Sequence, residues 1–256
     1  MSSRSTFTCF GLVIHGYGPE EAFLRIDDGL AHGKQAMIVT ANPEILLEAK
    51  RNPGYWQVLR RAELRLVDSF GLKLAGIISG SRPTRMSGVE FAEHLLQEAV
   101  KRGWRVAFIG GAAGVADKAA WEIRKAYPTL VLTAEQGGRV GHDGQDDEAG
   151  AEARFRLTQF APDILLVGFG HPKQETWIMK YLAELPSVKI AIGVGGTLDY
   201  WSGTKRRAPR MFQTLGLEWL WRLAKEPNRW KRILNAVIVF PLVFLWDRIS
   251  PVQRTA

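Results

Sequence analysis

The chain has 256 residues, 46% of them hydrophobic and 23% charged, and a formal net charge of +8. That balance fits a globular protein with a sizeable core and excludes extended disorder. Its single cysteine, Cys9, rules out an intrachain disulfide and any multi-cysteine metal site, so a reducing cytoplasm is the expected setting.

The opening stretch, MSSRSTFTCFGLVIHGYG, lacks the long apolar region and small-residue cleavage site of an export signal. Beyond it, short apolar and β-branched runs alternate with helical patterns. The runs are 36–40 (AMIVT), 64–68 (LRLVD), 105–111 (RVAFIGG), 130–135 (LVLTAE), 164–170 (ILLVGFG) and 189–196 (KIAIGVGG). Between them, segments such as SGVEFAEHLLQEAVKRG and GVADKAAWEIRKAYP repeat apolar residues at intervals of three and four. The alternation predicts βαβ units and an α/β, Rossmann-like, doubly wound and mostly parallel sheet. In such sheets ligands bind beyond the carboxyl ends of the strands. Thr40, Asn42, Asp68, Gly110, Gly111, Gly114 and the segment GHPKQE all fall at those ends.

Asp68 closes the 64–68 run. A carboxylate there serves either as a helix N-cap or as a general base, and spacing alone does not choose. IGGAAGVADKAA follows a strand and opens a helix, so the amide of Gly111 faces a phosphate or merely forms a tight turn. It is not the full G-x-G-x-x-G pattern and does not establish NAD binding. In VGFGHPKQETWI, Pro172 opens a helix whose first turn holds Lys173, Gln174 and Glu175. These are either solvated or, because Lys173 opposes the helix dipole, close to a bound anion. No D-x-D sequence and no tight His, Asp or Glu set suggests a metal, so arginine, lysine and amide donors are expected to carry any phosphate charge.

After Asp199 the alternation stops, which divides the chain into a core, 1–204, and a helical appendage, 205–256. Residues 208–226 read as one helix, and Pro227 suits the first turn of another. In the second helix Trp230, Ile233, Leu234, Val237 and Ile238 share a face. The apolar run 236–246 contains Pro241 and is eleven residues long. It falls short of the ~20 residues that span a bilayer, so it reads as an interfacial segment. From Lys205 to Arg232 nine basic residues face two acidic ones, which calls for an anionic partner. Two other readings of this tail are a nucleic-acid grip and a dimerisation helix pair that makes a homo-oligomer.

Taken together, TANPEILLEA, LRLVDSFGLKLA, RMSGVEFAEHL, FIGGAAGVADKAA, LLVGFGHPKQETWI and GVGGTLDYWSGTKRRAPRMFQTLGLEWLWRLAKEPNRWKR resemble the WecG/TagA/CpsF family of bacterial glycosyltransferases. They run in the family's order from about residue 36 to 232. The resemblance implies an inverting hexosyltransferase that moves N-acetylmannosamine, or a related hexose or uronic acid, from a UDP-sugar. The acceptor it implies is a sugar on undecaprenyl diphosphate, a precursor of surface polysaccharide or teichoic acid. Transfer of glucose or another hexose in exopolysaccharide assembly is the alternative within the family. A nucleotide-dependent oxidoreductase, suggested by FIGGAAGVA alone, is a rival outside it.

The resemblance also implies roles: Asp68 as general base with Thr40 beside it, and Asn42, Arg85 and Gln174 as sugar or phosphate contacts. It puts Asp199 near the nucleotide and Arg222, Arg229 and Arg232 on the lipid diphosphate. It implies no cofactor and no metal, the UDP-sugar being a substrate, and no nucleic-acid partner. The setting is peripheral, on the cytoplasmic face of the inner membrane. RMSGVE departs from the commoner R-V-T-G-x-D, with Ser87 for Thr and Glu90 for Asp, and this leaves the donor sugar open.

Overall fold

The computed structural model describes residues 5–249, so residues 250–256 of the expected appendage lie outside it. Eight strands form one sheet: β1 (Thr6–Cys9), β2 (Leu12–His15), β3 (Ala36–Ala41), β4 (Leu64–Val67), β5 (Val106–Gly110), β6 (Leu132–Glu135), β7 (Ile164–Gly168) and β8 (Ile190–Gly193). Their spatial order is β1-β2-β4-β3-β8-β7-β5-β6. All neighbours are parallel except β1 and β2, an antiparallel edge hairpin. The hairpin did not register in the helix–strand alternation. Its turn is Phe10-Gly11, both at positive φ (51° and 77°), the geometry that matches strand twist in a two-residue loop.

The strands β3, β5 and β7 are buried on both faces, as a sheet covered by helices on both sides requires. Alternate residues go to opposite cores. Met37, Val39, Ala107, Ile109, Leu165 and Val167 join one apolar cluster, with side chains of the Pro43–Arg51, Pro53–Arg61 and Lys173–Tyr181 helices. Ile38, Val106, Phe108, Ile164 and Leu166 join the other, with the Pro19–Ala31, Gly88–Arg102 and Val115–Ala126 helices. The doubly wound, mostly parallel arrangement expected from the alternation is therefore present.

The helix expected over 208–226 is broken. Arg210–Thr214 and Glu218–Lys225 are separate because Gly216 takes a left-handed conformation (φ 72°), where a Cβ would come within 2.7 Å of the Phe70 ring. Beyond Glu226 the chain runs through a 3₁₀ turn (Pro227–Arg229), helix Trp230–Leu234, a π turn (Asn235–Val239) and helix Phe240–Ile249. The π turn, with the Phe240 amide bonded to the Asn235 carbonyl, lies directly before Pro241. Proline cannot donate to the regular ladder, and the shift in spacing accommodates it.

Of the shared face expected for Trp230, Ile233, Leu234, Val237 and Ile238, only Ile233 is half-buried, against the cleft; the other four are each at least 40% exposed. The residues that anchor the tail are Phe240 and Phe244, sealed into the first core, with Phe240 edge-on to Phe10 at 5.9 Å. Burying each such side chain is worth about 1.5–3 kcal/mol. Lys50 pairs with Asp247 and Arg232 with Glu44, so both ends of the Pro43–Arg51 helix hold the tail. The run 236–246 thus packs one face on the core and leaves another exposed. No helix among the described residues is long and apolar enough to cross a membrane.

Candidate active site

The carboxyl ends of the parallel strands open into a cleft of about 1280 Å³, roofed on one side by residues 207–241. Thr40, Asn42, Asp68, Arg85, Gly111, Lys173, Gln174, Asp199, Arg222, Arg229 and Arg232 all border it, whereas Gly110, Gly114 and Glu175 do not. Sequence distance is cancelled by the parallel register, which sets Thr40 beside Leu66 and Val39 beside Gly193.

Asp68 is one residue past β4 and is not a helix cap. Ser69 caps the Phe70–Ile78 helix, its hydroxyl accepting the Leu72 amide at 3.2 Å. Asp68 instead accepts the Gly88 amide at 2.9 Å through Oδ1. That amide belongs to the first turn of the Gly88–Arg102 helix, which Ser87 and Glu90 close with a capping box. Burial raises the Asp68 carboxyl above its ordinary value, and the Gly88 bond and the Arg222 and Arg85 charges offset this only in part. Thr40 is buried nearby, its hydroxyl donating to the Gly193 carbonyl at 3.4 Å and lying 3.2 Å from where a Gly88 Cβ would stand.

Other expected contacts are partly spent within the protein. The Asn42 side-chain oxygen caps the Pro43–Arg51 helix, accepting from Glu44 and Ile45 at 3.0 and 3.1 Å. The Gly111 amide donates to the Gly168 carbonyl at 3.1 Å, so it is not a spare phosphate donor, and the tight-turn reading is the one its geometry fits. Asp199 pairs with Lys205 at 3.2 Å.

Gln174 and Glu175 are not a solvated first turn; they are 3% and 0% exposed. The Gln174 oxygen accepts the amides of Gly170 and Gly195 at 3.1 and 3.0 Å, tying together the loops after β7 and β8. Its nitrogen donates to Glu175 at 2.7 Å, and the Tyr55 hydroxyl donates to the other Glu175 oxygen at 2.9 Å. Burial pushes the Glu175 carboxyl up against these bonds.

The cations fall into two sets. Arg85 and Arg207 share the carboxylates of Glu90 (3.4 and 3.3 Å) and Glu218 (4.0 and 3.8 Å). Burial alone would raise Glu90, but its bonds to Ser87 and the two guanidinium groups outweigh it and hold it below its ordinary value. Arg232 is bound to Glu44 at 2.5 Å and Arg229 to Glu226 at 2.5 Å. Burial keeps the neighbouring His171 imidazole below its ordinary value. Among the described residues, Arg139, Lys173 and Arg222 border the cleft with no carboxylate within 4.0 Å, and these are the cations whose charge is left for a ligand. Arg222, Arg229 and Arg232 do not lie on one helix, because the break at Glu226 and Pro227 separates them.

Sequence reasoning missed Arg139, Gly88, Tyr55 and the burial of Glu175. The capping-box spacing of Ser87 and Glu90 was the one signal that could have found the Gly88 amide. Arg139 lies just beyond the carboxyl end of β6, between glycines, where the fold alone would have directed attention.

A cleft at the strand ends that joins a half-buried carboxylate to a ring of cations suits transfer of a group between anionic substrates. The family model for glycosyl transferases of the WecG/TagA/CpsF family matches residues 7–254. The chain belongs to this family and is a glycosyltransferase. It is 34% identical over 222 residues to the N-acetylglucosaminyldiphosphoundecaprenol N-acetyl-β-D-mannosaminyltransferase of Bacillus spizizenii, covering 86% of this chain and 83% of that one. It is 32% identical over 206 residues to the protein of the same name from Staphylococcus aureus, covering 79% and 77%.

Proposed function

We propose that this chain transfers an N-acetylmannosaminyl group, with inversion, from its UDP donor to N-acetylglucosaminyl diphosphoundecaprenol on the cytoplasmic face of the inner membrane. The observation that carries the reading is Asp68: a desolvated carboxylate, anchored by the Gly88 amide, at the edge of a cleft that also presents Arg222. A base for an alcohol must hold its proton more tightly than an exposed carboxylate does, and burial supplies that.

Asp68 takes the proton of the acceptor hydroxyl as its oxygen attacks the anomeric carbon. The bond from that carbon to the diphosphate oxygen breaks, and UDP leaves with the electron pair. Arg139, Lys173 and Arg222 stabilise the negative charge gathering on the diphosphate, without a metal ion. Arg229 and Arg232, already partnered, exchange their carboxylates for the lipid diphosphate when the acceptor enters. The Gln174 bridge holds the two glycine loops that wall the donor side.

The test is an assay of UDP-N-acetylmannosamine, UDP-N-acetylglucosamine and UDP-glucose against a short-chain polyprenyl diphosphate N-acetylglucosamine, with and without chelator. The expected result is β-linked N-acetylmannosamine product, unaffected by chelator. Preference for UDP-glucose would reassign the donor, and retained α configuration would remove the single-displacement role of Asp68.

A further inference from the structure

Glu90 does not border the cleft, yet its side-chain bonds lead to Asp68 by two routes. One oxygen, Oε2, accepts the Ser87 amide at 2.9 Å, and the Ser87 hydroxyl accepts the Glu90 amide at 3.3 Å. This reciprocal pair closes the first turn of the Gly88–Arg102 helix and fixes the direction of its free N–H groups. The Gly88 amide is one of them, and it is spent on Asp68. The other oxygen, Oε1, accepts from Arg85 at 3.4 Å, and a second nitrogen of Arg85 donates to the Asp68 carbonyl at 3.4 Å. Oε1 also accepts from Arg207 at 3.3 Å, and the same Arg207 nitrogen donates to the Ser87 hydroxyl at 3.1 Å.

We propose that Glu90 is a positioning residue for the transfer reaction, holding Asp68 from two sides: at the side chain through the Gly88 amide, and at the main chain through Arg85. This rests on Asp68 being the base, as proposed above. A helix cap alone would use only Oε2 and the Ser87 pair, and glutamine satisfies such a box as well as glutamate does. The charge therefore has a separate task, which falls to Oε1 and the two guanidinium groups. Among the described residues, Glu218 on the roof is the other carboxylate near Arg85 and Arg207, at 4.0 and 3.8 Å. Arg85 and Arg222 favour the ionised form of Asp68, and Glu218 opposes it. Glu90 tethers Arg85 at the main-chain carbonyl and partly neutralises its charge, so Asp68 keeps the proton affinity that a base for an alcohol needs. Placement matters as much as charge, since roughly 1 Å of misalignment between reacting groups costs about a hundredfold in rate.

Two substitutions separate the box from the charge. Glu90→Gln keeps the box and removes the charge, whereas Glu90→Ala removes both. The full chains are assayed with a short-chain polyprenyl diphosphate N-acetylglucosamine and whichever of the three UDP-sugars the wild type turns over fastest. Both variants should lose about ten- to a hundredfold in kcat, with the donor KM within about twofold of wild type. In Glu90→Gln the acid limb of kcat/KM should move to lower pH, because the released Arg85 charge favours ionised Asp68. Its melting temperature should stay that of the wild type. Glu98→Ala, which removes the ion pairs to Lys101 and Arg102 at the far end of the same helix, controls for helix stability and should leave kcat unchanged. In an Asp68→Asn background, Glu90→Gln should cost no more than about twofold, since its effect passes through the carboxylate. Wild-type kcat with an unmoved acid limb in Glu90→Gln overturns the proposal, as does an equal loss in the Asp68→Asn background. Either result leaves Asp68 standing as the base. Wild-type turnover by Asp68→Asn removes the base and the role of Glu90 with it.

Discussion

The Gly88 amide donates to one oxygen of Asp68 at 2.9 Å, which fixes the carboxylate and leaves its other oxygen for a substrate hydroxyl. Asp68→Asn preserves the shape and removes the proposed base. Turnover should fall by about 10²–10⁴-fold, while UDP affinity and melting temperature remain those of the wild type. Because burial raises the Asp68 carboxyl, the acid limb of kcat/KM should lie above the ordinary carboxylate value of 3.8 and be absent in the Asn variant. Single-turnover assays across pH check both points.

Arg222 and Arg232 should respond differently to truncation. Arg222 has no carboxylate within salt-bridge reach among the described residues, whereas Arg232 is held by Glu44 at 2.5 Å. Losing charge-assisted bonds to a diphosphate, about 1.5–3 kcal/mol, makes Arg222→Ala roughly ten- to a hundredfold slower in kcat/KM. Arg232→Ala should lose less, since its ligand contact first displaces Glu44. Equal losses would show that the resting ion pairs do not grade these arginines.

Glu175 is a test of stability and its pH dependence. Glu175→Ala strands the Tyr55 hydroxyl and the Gln174 amide and should cost about 3 kcal/mol in urea unfolding. The folded-state carboxyl is raised above its unfolded value near 4.5. Its contribution is therefore complete below that value and is lost as pH rises through the folded pKa. The wild type should lose stability relative to Glu175→Gln over that window, and parallel curves for the two proteins would contradict the assignment.

Gly193→Ala should act through Gln174. A Cβ at Gly193 would overlap the Gln174 side chain, which has no room to retreat without releasing Gly170 or Gly195. A destabilisation of about 1–3 kcal/mol is expected, with a raised KM for the donor, measured by urea unfolding and initial rates.

The sheet was legible because its strands alternate with amphipathic helices, and Thr40, Asn42, Asp68 and Gln174 were legible because polar residues sit at strand ends in such sheets, whereas Arg85, Asp199, Arg222, Arg229 and Arg232 came only with the family resemblance. The edge hairpin escaped because no helix separates its two strands and one, Leu12–His15, leaves Val13 facing outward. Gly216 could be read as helix interior or as a break, and only its closeness to Phe70 decides between them. Side-chain economy was illegible for a different reason. Whether Arg232 is free or paired depends on Glu44, 188 positions away, and whether Gln174 faces ligand or protein depends on two loops that no local pattern relates.

The uneven anchoring of the tail has a consequence for how the cleft is entered. From Arg210 to Val239 no helix or turn buries a residue, while Phe240 and Phe244 are sealed into the core. Exposed ion pairs such as Arg232–Glu44 contribute no more than about 1 kcal/mol. The roof therefore lifts far more readily than its heel, and amide hydrogen exchange over 210–234 should outpace that over 240–249 while the rest of the protein stays folded. Such an opening would widen the cleft at one edge and leave the sheet untouched.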